Sequence, residues 1–249
     1  EAGSKTLINY PVSGSFIKGG NTTVSEKMNM RCITEVEGKI WCGSDEGILV
    51  FNPENKKFVD VIDFGNESRY NNRVVSFARD KDPNFLWIGT WGGLAKYDTR
   101  ALTYTLYSNN QLDQNSLSDN KISYLLSDKQ KNLWIGTQDK GINIYFPSST
   151  KFPLLNSANG LVNDFVYSVI ETKGKGIWVG TAEGLYYKEE LASKFKDFSS
   201  ITNKFDAKAI LSLMEDGDGR IWIGTYGQGI IIYDPKTRST KKLLADNNT

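Results

Sequence analysis

The chain has 249 residues, a length that suits one large all-β domain or two smaller domains. It carries 30 basic and 29 acidic residues without a long basic block, which argues against a nucleic-acid partner and against contact with an anionic membrane. No apolar run approaches the length of about 18 residues that a membrane helix needs. Histidine is absent, and this makes an enzyme less expected because histidine is the commonest general base and metal ligand.

A tryptophan-containing block recurs along the chain at nearly even spacing. Its five copies contain Trp41, Trp87, Trp134, Trp178 and Trp222, which lie 46, 47, 44 and 44 positions apart. In each copy an aliphatic residue precedes the tryptophan, and glycine followed by threonine or serine comes after it. A period of this length is typical of propellers and other repeat proteins.

The elements within each repeat follow one order. An apolar strand, a polar turn, the tryptophan strand, a glycine turn, a strand ending in an aromatic residue and an irregular outer strand come in succession. Such a unit is a four-stranded meander that cannot cover both its faces alone, whereas radially packed units cover each other. The sequence therefore predicts an all-β β-propeller of four-stranded antiparallel blades. We expect one domain over residues 1–249, with blades near 31–62, 73–107, 121–155, 165–199 and 208–244.

The number of blades in the complete propeller stays open at this point. Residues 5–10 predict one extra outer strand before the first repeat. That strand could complete the final blade and close a ring of five blades, or it could belong to a further blade of a larger propeller. Cys32 and Cys42 flank the first predicted hairpin turn, and whether they pair is equally open.

Two of the repeats carry a family resemblance. Residues 86–98 and 221–234, which read LWIGTWGGLAKYD and IWIGTYGQGIIIYD, resemble the two-component regulator propeller repeat of bacterial hybrid two-component systems. The first repeat departs from this pattern at Cys42 and Ser44, and the fourth lacks an aspartate after Tyr187. The resemblance implies a non-catalytic ligand sensor on the periplasmic or extracellular side of the membrane, frequently for glycan fragments. Any kinase activity lies outside this chain.

The candidate ligand site is placed where a meander gathers its loops. The turns between second and third strands emerge at the same edge as the connections between blades, and loops on a rigid scaffold commonly carry binding residues. Flat aromatic side chains beside carboxylates and amides suit sugar rings, although they also serve to cover the end of a blade core. The candidate ligand-binding residues are Asp45, Trp91, Gln138, Glu183 and Tyr226 in the turns, and Arg69, Tyr70 and Asn72 between blades.

Two other classes of function are weighed against the sensor. A protein-interaction scaffold, including a homodimer, would use the exposed aromatic residues as its anchors. A lyase or glycoside-acting propeller is less expected because no histidine is available and no spacing selects a pair of carboxylates. Residues 216–219 lack the rest of a calcium loop, so we expect no metal and no cofactor. The expected partner is a small molecule or oligosaccharide.

Overall fold

The structure of this protein is a computed structural model, which describes residues 16–17, 21–22, 28–64, 72–148 and 151–243. The chain comprises two compact units, Glu1–Val75 and Ser76–Thr249. The predicted strand at residues 5–10 lies outside the described residues, and the single domain stays a prediction. Among the helices described, none has the length and apolar character needed to cross a membrane.

The described residues form five four-stranded antiparallel sheets, each in the order of the chain, which confirms the predicted fold class. In the first unit, β1 (Phe16–Ile17) pairs with β2 (Asn21–Thr22), and blade 1 contains β3 (Met30–Val36), β4 (Lys39–Ser44), β5 (Gly47–Asn52) and β6 (Lys57–Ile62). Blade 2 contains β7 (Val74–Arg79), β8 (Phe85–Thr90), β9 (Gly93–Asp98) and β10 (Thr103–Tyr107). Blade 3 contains β11 (Ile122–Ser127), β12 (Leu133–Thr137), β13 (Ile142–Tyr145) and β14 (Leu154–Leu155). Blade 4 contains β15 (Val166–Glu171), β16 (Ile177–Thr181), β17 (Gly184–Lys188) and β18 (Lys196–Asp197). Blade 5 contains β19 (Ile210–Glu215), β20 (Ile221–Thr225), β21 (Ile230–Asp234) and β22 (Ser239–Leu243), preceded by the short helix α1 (Ser200–Asn203).

The tryptophan strand is the second strand of every blade. We call the side of the sheet that carries this tryptophan and the glycine two residues later the Trp face, since alternate residues of a strand share one face. In the second unit, the first strands of blades 3, 4 and 5 each pack against the first or second strand of the blade before them. Trp87, Trp134 and Trp178 are consequently 2%, 6% and 4% exposed. The indole rings therefore fill the space between successive blades, as the sequence predicts.

The glycine of the tryptophan strand permits the close packing of blades. A Cβ atom on Gly136 would lie 2.8 Å from Val166 Cγ1, and one on Gly180 would lie 2.7 Å from Ile210 Cγ2. Val166 and Ile210 are the first residues of the following blades. Close approach is therefore the reason for this glycine. The glycine at the next turn has a different role, as shown by Gly93, whose φ of 135° suits a residue without a side chain.

A polar contact also recurs between blades 3, 4 and 5. The backbone N–H of Lys129 donates to Glu171 Oε2 at 2.9 Å, and that of Lys173 donates to Glu215 Oε2 at 2.7 Å. In both cases the lysine Nζ donates at 2.8 Å to a backbone carbonyl of the next blade. We call this pair of contacts the interblade clamp, because it fixes the first turn of one blade to the first strand of the next.

The two cysteines are free thiols on opposite faces of blade 1. Cys32 pairs in register with Gly43, whereas Cys42 pairs with Ile33, one residue further along the strand. Adjacent residues of a strand point to opposite sides, so these thiols do not face each other. Burial raises the pKa of Cys32 to about 12, which keeps this thiol protonated at neutral pH.

Candidate functional site

The turns between second and third strands lie beside the connections between blades, as the sequence predicts. In blades 3, 4 and 5, the residue after the Gly-Thr pair donates its backbone N–H to the carbonyl of the residue before the first strand. These bonds are Gln138 to Lys121 at 3.1 Å, Ala182 to Phe165 at 3.0 Å and Tyr226 to Ala209 at 3.0 Å. We call this edge of the sheets the loop edge.

Asp45, a candidate residue of the first unit, has structural partners. Asp45 accepts a hydrogen bond from Asn29 Nδ2 at 3.0 Å and forms ion pairs with Arg31 and, at 2.8 Å, with Arg73. Partial burial acts to raise the pKa of Asp45, but hydrogen bonds from Arg31 and Asn29 bring it below the ordinary value. Its carboxylate is therefore occupied within the protein.

Asn72, the described candidate residue between blades 1 and 2, adds little exposed polar surface. Asn72 is 7% exposed and donates from Nδ2 to Asp63 Oδ1 at 2.7 Å. Arg69 and Tyr70 lie outside the described residues. A ligand-binding role for all three stays a prediction.

The candidate residues of the second unit occupy equivalent turns of four successive blades. Trp91 and Gln138 are half-buried, Glu183 is exposed, and Tyr226 is 77% exposed. These four side chains therefore belong to four different blades. Their ligand contact also stays a prediction.

A cavity of about 830 Å³ lies at the opposite edge of the second unit, between blades 4 and 5. Its aromatic wall consists of Trp178, Tyr187, Phe198 and Tyr233. The Trp178 ring lies 4.8 Å from the Tyr187 ring and 5.0 Å from the Phe198 ring, measured between centroids. Tyr233 comes from blade 5, with its ring centroid 6.0 Å from that of Trp178. A cavity of this size with several aromatic walls is typical of small-molecule sites.

The residue that pairs with the third-strand tyrosine differs between blades 3 and 5. In blade 3, Ile142 pairs with Leu155 and Asn143 with Leu154, and the same register places Phe152 opposite Tyr145. The Phe152 ring lies 5.6 Å from the Tyr145 ring and is buried against it. In blade 5, the residue opposite Tyr233 is Thr240. Blade 5 therefore has a smaller side chain beside Tyr233, although Thr240 itself does not line the cavity.

Charged groups surround the mouth of the cavity. Glu215 belongs to the interblade clamp, and Asp218 Oδ2 pairs with an Arg220 terminal nitrogen at 3.0 Å. Lys236 donates to the Asp218 carbonyl at 3.1 Å, and Arg238 is exposed on the same turn. Among the described residues, no cluster of three or more acidic, cysteine or histidine side chains is suited to a metal ion. The cavity therefore combines stacking surfaces with a polar rim that carries both charge signs.

Sequence reasoning does not find this cavity. Its aromatic residues follow the repeat pattern and are therefore interpreted as core, while its rim lies at the edge opposite the predicted site. The available sequence signal is Thr240, which stands where blade 3 has the aromatic residue Phe152.

Comparison with known proteins bears on the repeat itself. Residues 116–139 and 204–227 match the family model described as "Two component regulator propeller". Both segments are therefore similar to that repeat. Both extend from a connection between blades through the first strand to the turn after the tryptophan strand, and the predicted resemblance is confirmed.

Longer proteins resemble nearly the whole chain. Histidine kinase P4 of Formosa agariphila is 26% identical over 251 residues, which cover 96% of this chain and 18% of that protein. The BT4673 extracellular domain from B. thetaiotaomicron, described as part of a hybrid two component system, is 25% identical with a TM-score of 0.72 over 95% of this chain and 30% of its own. The corresponding BT3049 domain is 22% identical with a TM-score of 0.71 over 84% of this chain and 29% of its own. This chain therefore spans less than a third of each of these relatives.

Proposed function

We propose that this chain is part of a sensor propeller of a hybrid two-component system. Its relatives include a protein named as a histidine kinase and a domain described as extracellular, which supports a periplasmic or extracellular location and a sensing role. In this proposal the chain binds a ligand without chemical turnover, and signalling output belongs to regions outside it. The ligand is a glycan fragment or another small molecule of similar shape.

We propose that the ligand binds in the cavity between blades 4 and 5. Sugar rings bind through stacking on aromatic faces combined with hydrogen bonds around the ring. Tyr187 and Phe198 are half-buried, so part of each ring faces the cavity. Lys236 and Arg238 at the rim supply donors for hydroxyl or acidic groups. Because walls from two blades meet here, a bound ligand would also bridge two repeats.

Ligand screening by thermal unfolding tests the proposal. Neutral, uronate-containing and sulfated oligosaccharides would each be added to the purified chain. A ligand at 100 times its Kd stabilises the folded state by roughly 2.7 kcal/mol. For a protein of this size we expect an increase in Tm of roughly 5–10 °C at that concentration. A panel without any sugar that raises the Tm would contradict glycan recognition.

Two tyrosine variants locate the site. Tyr187→Ala removes an aromatic wall of the cavity, and we expect it to abolish the ligand-induced rise in Tm. Tyr226→Ala removes an aromatic ring of the loop edge that is 77% exposed, and it should leave that rise unchanged. Each rise is measured against the variant's own unliganded Tm, which separates binding from stability. The reverse result would place the ligand at the loop edge, as the sequence predicts.

A further inference from the structure

The first turn of blade 4 has the same backbone hydrogen bonds as the first turns of blades 3 and 5. In each turn, the first residue donates its N–H to the carbonyl of the residue four positions later, and its carbonyl accepts from the residue three positions later. These first residues are Asp128, Thr172 and Asp216. The residue three positions later has a positive φ in every case, 66° at Lys131, 61° at Lys175 and 86° at Gly219. The three turns therefore differ in their side chains and not in their backbone hydrogen bonding.

In blade 5 this turn gathers its donors on one carboxylate. Asp216 accepts at 3.0 Å from the backbone N–H groups of Asp218 and Arg220, and at 2.8 Å from Trp222 Nε1. Hydrogen bonds to a carboxylate favour its ionised form, and with Trp222 as the main cause they hold the pKa of Asp216 below its ordinary value. In blade 3, Asp128 accepts in the same way from the indole N–H of its own blade at 2.9 Å. The turn is therefore a carboxylate-binding site whose carboxylate the chain itself supplies.

Blade 4 keeps the donors of this turn but not the carboxylate. Gly174, Gly176 and Trp178 stand at the positions of the three donors of blade 5, and Thr172 stands at the position of the aspartate. The Thr172 hydroxyl donates to the Gly176 carbonyl at 3.1 Å. Within the part of the chain that the structure describes, the indole N–H and the two glycine N–H groups have no acceptor. Blade 4 therefore has three donors where blades 3 and 5 have an occupied carboxylate site.

These donors belong to the cavity between blades 4 and 5. Thr172, Gly174 and Trp178 all line it, and Trp178 is only 4% exposed. A donor on a buried side chain is unfavourable without an acceptor, and a ligand oxygen that accepts from it removes that cost. Hydrogen bonds to an ionised acceptor are also stronger than those to a neutral one. An anionic oxygen of the ligand therefore gains more here than a hydroxyl group does.

The charged groups of the cavity favour the same kind of ligand. Both acidic residues of its lining are already bound, Glu215 by a backbone N–H and Asp218 by an arginine. The ammonium groups of Lys173 and Lys236 donate to backbone carbonyls, which carry no net charge. Arg238 lines the cavity as well, and the ion pairs found among the described residues include none of these three cations. Three cationic groups are therefore placed to balance an acidic ligand.

On the basis of the ligand site proposed above, we infer that its ligand carries a carboxylate, as a uronate sugar does, and that this group binds beside Thr172. Gly174 N–H and Trp178 Nε1 donate to the carboxylate, as their equivalents donate to Asp216 in blade 5. The sugar ring that bears the group lies against Tyr187. Trp178 is then the residue that distinguishes an acidic ligand from a neutral one of the same shape.

Pairs of sugars that differ only in the carboxyl group test this inference. Each uronate-containing oligosaccharide of the screen is compared with its carboxyl-reduced counterpart by calorimetric titration of the purified chain. We expect the Kd of the acid to be lower by roughly tenfold or more. The indole N–H signal of Trp178, identified by its loss in Trp178→Phe, should move downfield in ¹H–¹⁵N spectra when the acid binds. Equal Kd values for the acid and its reduced counterpart would overturn the inference.

Substitutions of Thr172 test the donors themselves. Thr172→Asp restores the residue of blades 3 and 5, so we expect the Tm of the unliganded chain to rise by roughly 2–4 °C and the affinity for the acid to fall by roughly tenfold or more. Thr172→Asn offers a neutral oxygen to the same donors and should also weaken binding, which separates occupied donors from charge repulsion. Thr237→Asp adds a negative charge on an exposed turn of the rim and should change the Kd by less than about threefold.

The outcomes separate this inference from the proposed function. Binding of neutral or sulfated sugars alone would overturn the inference and leave the sensor function intact. Acid binding that Thr172→Asp retains would do the same. An unliganded Tm that Thr172→Asp leaves unchanged or lowers would show, with no ligand involved, that the donors do not converge beside this residue. A screen in which no sugar binds would refute both the glycan sensor and the carboxylate site.

Discussion

Replacing Thr240 with phenylalanine should place a new ring beside Tyr233, which lines the cavity between blades 4 and 5. The new ring would take the place that Phe152 has in blade 3, where its centroid lies 5.5 Å from Tyr107 and 5.6 Å from Tyr145. Full burial of a phenylalanine side chain contributes roughly 1.5–3 kcal/mol. Thr240 is already half-buried, so only part of this is gained. We expect the free energy of unfolding to rise by about 1–2 kcal/mol.

Urea denaturation of the purified chain measures this change. Thr237→Phe is the matched control, because Thr237 lies on the same turn and is exposed, so its ring would gain little burial. The ligand that raises the Tm of the native chain should no longer do so for Thr240→Phe, since the ring occupies its site. An unfolding free energy equal to or below the native value would refute the comparison with blade 3. Retained ligand binding in a stabilised variant would refute the cavity as the ligand site.

Three further predictions concern the repeat itself. Gly180→Ala should lower the free energy of unfolding by about 1–3 kcal/mol, because the new methyl group overlaps Ile210 of the next blade, whereas Gly224→Ala should cost less than about 1 kcal/mol in the same urea titration, because its methyl group displaces only the rotatable hydroxyl of Ser212 in its own blade. Asp128→Ala should cost about 1–3 kcal/mol, because the buried Trp134 indole N–H loses its acceptor, and equal stability of the two proteins would contradict this. An indole N–H donor and an arginine hold the pKa of Asp216 below its ordinary value, so the folded chain binds fewer protons there than the unfolded chain. The resulting stability is present above about pH 4 and is lost as pH falls below it, so Asp216→Asn should show a shallower decline of the urea midpoint between about pH 5 and pH 2.

The architecture could be predicted because the chain repeats its own pattern. A single strand in which tryptophan and glycine alternate does not identify a fold. Five copies at even spacing, however, require a structure in which equivalent strands meet equivalent neighbours. The third and fourth strands were located by aromatic residues and turns, and they lie where the sequence places them. The glycine after Trp178 shows the limit of this approach. The sequence shows that Gly180 recurs in every repeat, but it does not show whether a turn conformation or close packing requires the glycine. That depends on Ile210 of another blade, 30 positions later in the chain.

The candidate site was harder to predict because some departures from the repeat cannot be recognised in the sequence. Trp91 and Tyr226 are easy to recognise as departures, because each directly follows a Gly-Thr pair that aligns the repeats from the sequence alone. Thr240 departs from the repeat as strongly, but it lies in an outer strand. The outer strand of blade 3 has only two paired residues, preceded by Pro153, so its alignment with blade 5 rests on backbone pairing that the sequence does not show. A missing aromatic ring is informative only when the position it should occupy is known. The outer strands, where registers are least regular, are therefore where a repeat protein can alter a site without changing the recognisable part of its repeat.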